Sequence, residues 1–246
     1  MKNVKLTVQY DGSNYFGWQK QNGYKTVEGE IVKAIKKLTG KDVILSTAGR
    51  TDKGVHAFGQ VTNFFIDDKF TTDNIRRGLN TFLGEESIQI TNVEEVEDYF
   101  HSRFSAKGKL YRYVLSNNRL MHPMYRNYKG YTPYKLDLDR IRYSSKILLG
   151  HHNFSSFTNA KIDEEINMNR TLDKIEVKEE KGDIIFYFEA ESFLRNMVRI
   201  IVGSLIEVGR GKRDIDWLEK ALLNGNRINA GPTISPNGLY LMKVYY

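Results

Sequence analysis

Residues Val4-Lys5-Leu6-Thr7-Val8-Gln9-Tyr10 place an apolar side chain at every second position. That is the period of a half-buried β-strand, whose successive side chains point to opposite faces. Downstream the period changes: Val27, Ile31, Ile35 and Leu38 recur at helical spacing, and Gly40 supplies a stop. Two β-rich runs, Val43 to Thr47 and Gln60 to Ile66, precede a second helical pattern in Ile75, Leu79 and Phe82 and a strand from Ser87 to Val93. The predicted order is βαββαβ.

The rest of the chain repeats it. A strand is predicted from Lys109 to Ser116, a helix from Asp139 to Leu149, and two strands flanking the turn residues Lys181-Gly182-Asp183. Helical spacing then returns in Leu194, Met197, Ile201, Leu205 and Val208, with a short helix after Asp214 and a last strand from Leu239 to Val244. The expectation is an α+β protein of two tandem ferredoxin-like halves, residues 1–105 and 106–246, forming one extended, mainly antiparallel sheet. Helices would cover one face and leave the other as a cleft for a partner.

Composition narrows the chemistry. The 246 residues are 40% apolar, enough for a packed core, and include no Cys, which excludes disulfides, Cys-ligated zinc, Fe–S clusters and thiolate nucleophiles. The apolar run from Val198 to Val208 is interrupted by Arg199, Gly203, Ser204 and Glu207, and the N-terminus leads straight into a strand pattern. A cytoplasmic protein, neither secreted nor membrane-spanning, is expected. The net charge is +7, and its distribution is uneven: from His101 to Lys135 there is no Asp or Glu, while eight Lys and Arg residues alternate with six tyrosines. Such interleaving suits a nucleic-acid groove, where cations meet phosphates and rings meet bases; it equally suits a solvated charged face, and composition does not choose.

The sequence has no GxxxxGK[ST], GxGxxG or HExxH run, so phosphate-loop, dinucleotide and zincin chemistries lack their signatures. Between two predicted strands lies Ala48-Gly49-Arg50-Thr51-Asp52-Lys53-Gly54-Val55-His56-Ala57. Read by spacing, Thr-Asp-Lys-Gly is a good turn and nothing more. The longer run Ala48 to Val61, however, closely resembles the signature of the TruA-type tRNA pseudouridine synthases. The likeness continues in order through Tyr10-Asp11-Gly12, Phe16-Gly17-Trp18-Gln19, Thr26-Val27-Glu28-Gly29, Phe104-Ser105-Ala106 and Tyr111-Arg112-Tyr113. It resumes in Asn153 to Phe157, Phe193 to Gly203 and Gly238 to Leu241.

That resemblance implies an isomerase that turns uridines at positions 38, 39 and 40 of the tRNA anticodon stem-loop into pseudouridine, with no cofactor and no metal, acting as a homodimer. It nominates Asp52 as catalytic, Tyr111 as the ring that stacks on the target base, and Arg50 as the cation that helps extrude it. The chemistry fits these types, because breaking and re-forming a glycosidic bond needs an anionic carboxylate as nucleophile or base and no redox agent.

Arg199 carries a physical argument of its own. Leu194, Met197, Ile201, Leu205 and Val208 form one apolar stripe, and Arg195, Arg199, Val202 and Ile206 form a second, so Arg199 is expected half-buried. A buried guanidinium needs a partner, which by resemblance is Asp52; a snorkelling side chain or a phosphate contact is the alternative. Lys107, Lys109, Arg112, Arg195 and Arg210 are candidate RNA-backbone contacts. His56 reads as loop support and His151-His152 as lacking a metal-ligand set. Two other classes stay open: an RNA-binding module without catalysis, and a metal-dependent nuclease using Asp67-Asp68.

Overall fold

Val4, Leu6, Val8 and Tyr10 are buried, their neighbours Lys5, Thr7 and Gln9 are half-buried, and the stretch forms strand β1 (Lys2–Tyr10). The structure is a computed structural model and describes residues 1–159 and 166–246. Two compact units are present: residues 1–107 with 240–246, and residues 108–239.

In the first unit β1 leads to helix α1 (Val27–Thr39), which Thr26 caps by accepting from the Gly29 N–H, and which Gly40 ends in a left-handed turn. Strands β2 (Ser46–Thr47) and β3 (His56–Ile66), helix α2 (Thr72–Leu83) and strand β4 (Ile88–Val96) follow. The sheet runs β4-β1-β3 with β2 on β3, and β1 is antiparallel to both neighbours. Ile31 and Ile35 of α1 and Ile75 and Leu79 of α2 are fully buried. The run expected from Val43 shrinks to two paired residues, and Ile44 is 91% exposed.

The second unit holds β5 (Gly108–Ser116), β6 (Gly130–Tyr131), α3 (Leu138–Ser145), β7 (Gly150–Asn153), β8 (Asn169–Glu180), β9 (Asp183–Ala190), α4 (Met197–Gly209) and α5 (Ile215–Asn224). Its strands are ordered β5-β9-β8-β7, with the short β6 parallel to β5. Lys181 and Gly182, both at positive φ, make the tight turn between β8 and β9. Every residue of α4 except Arg199 is buried. At Gly203 a Cβ would stand 2.0 Å from the Pro232 carbonyl oxygen, so only glycine admits the segment that crosses α4 there.

The last strand, β10 (Leu239–Tyr245), departs from the expected division at residue 105. Its residues Tyr240 to Tyr246 fall in the first unit, where Tyr240 and Leu241 pair in parallel with His56 and Ala57 of β3. Such nonlocal pairing leaves no trace in local periodicity. The helix expected from Asp139 to Leu149 stops at Ser145, and a 3-10 turn carries on to Leu148.

Candidate active site

The loop from Ala48 to Val55 joins β2 to β3, and hydrogen bonds tie the backbone of five of its eight residues. Ala48 N–H donates to the Val61 carbonyl at 2.9 Å, and Gln60 Nε2 donates to the Gly49 carbonyl at 2.8 Å. Thr51 is buried; its Oγ1 lies 2.7 Å from the Tyr10 hydroxyl, and its carbonyl accepts from Trp18 N–H at 3.0 Å. Burial pushes the Tyr10 hydroxyl up to about 12, so it remains a neutral hydrogen-bonding group. Gly17 sits at φ +87°, and a Cβ there would stand 2.7 Å from the Thr51 carbonyl oxygen, which is why the approach of this chain requires glycine.

Asp52 follows at the tip. Val55 N–H donates back to the Asp52 carbonyl at 3.1 Å, closing a turn with Gly54 at φ +79°. The turn reading of Thr-Asp-Lys-Gly is therefore correct as local structure, and the turn leaves the Asp52 side chain half-buried between exposed Arg50 and Lys53. His56 supports the loop, as expected: it is buried, its Nδ1 accepts from Gly12 N–H at 3.1 Å, and its ring stacks on Tyr240 at 4.8 Å. Tyr10, Thr51 and Gln60 carry this frame, yet single-sequence reading sees them only as strand or loop residues.

The second unit presents another group. Tyr111 on β5 is buried and meets Phe193 edge to face at 5.0 Å. Two residues along the same face, Tyr113 donates its hydroxyl to the Ser235 carbonyl at 2.9 Å, while Arg199 Nε donates to the adjacent Ile234 carbonyl at 2.8 Å. Burial raises the Tyr113 hydroxyl above the phenol range, and the Arg199 charge opposes that rise. Arg199 is half-buried, as the second stripe predicted. Arg195, however, precedes α4 rather than lying on it: Asn196 at φ +62° interrupts the helix, and Arg195 is exposed.

The backbone candidates differ among themselves. Lys107 is exposed and Lys109 and Arg112 are half-buried along β5, whereas Arg210 lies 3.4 Å over the Tyr134 ring and 3.1 Å from the Glu207 carboxylate. Arg210 therefore already serves the end of α4 as a packed ion pair. The acid-free stretch also acquires an acid in space, because Lys129 pairs with Asp183 at 2.5 Å. Asp67 and Asp68 do not act together: Asp67 pairs with Lys41, whose hydrogen bond lowers its pKa, and Asp68 pairs with the terminal amine. Among the described residues no group of three or more His, Asp and Glu converges as metal ligands, and no helix is long and apolar enough to cross a membrane.

Residues 6–105 and 145–246 match a family model described as tRNA pseudouridine synthase. The chain is 50% identical over 246 residues to a tRNA pseudouridine synthase A of Finegoldia magna, with all of both chains covered. It is 41% identical, again with both chains fully covered, to one of Acetivibrio thermocellus.

Proposed function

Because this chain belongs to the tRNA pseudouridine synthase family, we infer that it isomerises uridine to pseudouridine in tRNA, with Asp52 as the catalytic carboxylate. The observation that carries the reading is the Asp52 loop itself. A carboxylate stands at the tip of a turn whose backbone is held by Trp18 and Gln60 and whose Thr51 side chain is held by Tyr10, which is the preorganisation a reacting group requires.

The reaction needs no outside reagent. The N1–C1′ bond breaks, the base turns, a C5–C1′ bond forms, and the C5 proton leaves to solvent while N1 ends protonated. A carboxylate can serve by adding to the sugar or base, or by removing a ribose proton, and either route leaves it regenerated. In this reading Tyr111 is the stacking ring, Arg50 the cation that helps extrude the base, and Arg199 a further substrate-binding cation. Lys107, Lys109, Arg112 and Arg195 take phosphates. The substrate is the anticodon stem-loop at positions 38, 39 and 40, the enzyme is a cytoplasmic homodimer, and no cofactor takes part.

Release of tritium from C5-labelled uridine in tRNA, followed with and without chelator, tests this. Release unaffected by chelator and absent with Asp52→Ala is expected. Binding without release would leave an RNA-binding module, and chelator-sensitive strand cleavage a nuclease.

A further inference from the structure

Beside the Asp52 loop, the segment leading into α1 holds two large rings in water. Phe16 and Tyr24 stack with centroids 4.2 Å apart and planes 27° apart, yet Phe16 is 40% and Tyr24 53% exposed. The stack is ordered from beneath: Phe16 N–H donates to the Lys25 carbonyl at 2.8 Å, and Gly23 at φ +80° turns the chain between the two rings. Lys53, the residue after Asp52, brings its ammonium to 4.1 Å from the Phe16 centroid. An ordered, solvent-facing ring pair is thus tied by one cation to the loop of the reacting carboxylate.

Along the segment that carries the rings the charge has one sign. Residues 12–26 include Lys20 and Lys25 and no Asp or Glu, and across the loop Arg50 and Lys53 are exposed. Lys25 is engaged by Glu86 at 2.8 Å, which leaves Lys53 as the cation seated on the rings. Rings bordered by cations complement a nucleotide, whose base offers a π-face and whose phosphate offers the negative charge.

We propose that the Phe16–Tyr24 stack, capped by Lys53, is a platform on which an unpaired base of the substrate RNA stacks, next to the uridine that reacts. The proposal rests on the assignment of Asp52 as the catalytic residue. Stacking there offsets part of the cost of opening the loop and holds the neighbouring nucleotide while the target turns. Tyr24 supplies the more open ring, and Phe16 and Lys53 fix its orientation.

The test uses the full chain carrying Asp52→Asn, so that binding is read without turnover, and an anticodon stem-loop RNA with 2-aminopurine placed in the loop. Stacking quenches that fluorophore. In this background Tyr24→Ala is expected to abolish the quench at one loop position and to weaken binding by about five- to 100-fold. Tyr24→Trp should restore both, which a role confined to packing within the segment would not produce. Thermal melts of each variant separate lost stacking from lost folding, because removal of a half-exposed ring should leave the midpoint nearly unchanged. Unchanged quench and affinity in Tyr24→Ala at every loop position would overturn the platform, as would failure of Tyr24→Trp to restore them. If the wild-type protein releases no C5 label while the Tyr24-dependent quench persists, the functional reading falls and the platform stands.

Discussion

The hydroxyls of Tyr10 and Thr51 meet at 2.7 Å inside the first unit, joining the end of β1 to the residue before Asp52. Both side chains are buried, so removing either hydroxyl leaves the other without this partner in a dry site. Tyr10→Phe and Thr51→Val are each expected to cost about 1–3 kcal/mol in denaturant unfolding. They should also lower kcat with little change in KM, since the loop moves while the RNA contacts remain. Thr51→Ser, which keeps the oxygen, should retain most of both properties; equal losses in all three variants would show that the hydroxyl is not what matters.

Alkaline pH should weaken the fold through the same tyrosine. Burial holds Tyr10 at about 12 in the folded chain, above the ordinary value near 10 that it has when unfolded. Between these values the folded state keeps the proton and the unfolded state loses it. Stability from this group is therefore fully present below about pH 10 and declines as pH rises toward 12, by up to about 3 kcal/mol. Tyr113, Tyr15 and Tyr246 are also raised, chiefly by burial, and act in the same direction. Unfolding free energies of wild type and Tyr10→Phe, measured from pH 8 to 11.5, should converge as pH rises.

Asp52→Asn and Asp52→Ala should abolish isomerisation while tRNA affinity stays within a few-fold. One side chain contributes little to a complex held through many phosphates. Turnover by the Ala variant, in the tritium-release assay, would remove Asp52 from the chemistry.

Arg199→Ala should lower turnover by about 100-fold and affect tRNA binding far less, as expected for a donor that acts on developing charge. The variant also loses the 2.8 Å hydrogen bond to the Ile234 carbonyl, so a melt must accompany the kinetics. Arg199→Lys should recover part of the activity only, because a point charge lacks the planar pair of donors. Equal loss of kcat and affinity would make Arg199 a phosphate contact instead.

Affinity for tRNA should fall steeply as salt rises. Lys109→Gln and Arg112→Gln should each flatten the slope of log affinity against log salt by about one unit if each residue meets a phosphate. Arg210→Gln should leave that slope unchanged and instead reduce stability, since its charge is paired with Glu207.

Some of this was legible in the sequence and some was not, for identifiable reasons. Alternation in Val4 to Tyr10 and helical spacing in Val27 to Leu38 report burial on one side, and both elements stand where periodicity placed them. Strands β6 and β7 are too short to show a period, and α4 is buried on nearly every side, so a two-stripe reading understates its burial. Helical spacing from Leu194 puts Arg195 on the helix, but Asn196, in a left-handed conformation, does not let the helix begin so early. In the site, spacing revealed only the turn at Asp52. Its importance came from resemblance, and its anchoring by Tyr10, Trp18 and Gln60 required contacts up to 41 residues apart in sequence.

The placement of β10 in the first unit bears on how the molecule is made. While the ribosome extends the chain, β1 to β4 can assemble early, but one edge of β3 waits for residues 240 and 241, synthesised only after the whole second unit has emerged. An open strand edge is a hazard for mispairing during that interval. The first unit to appear is thus the last to be completed, and a nascent chain halted anywhere before residue 240 carries an unfinished version of the sheet beside which Asp52 stands.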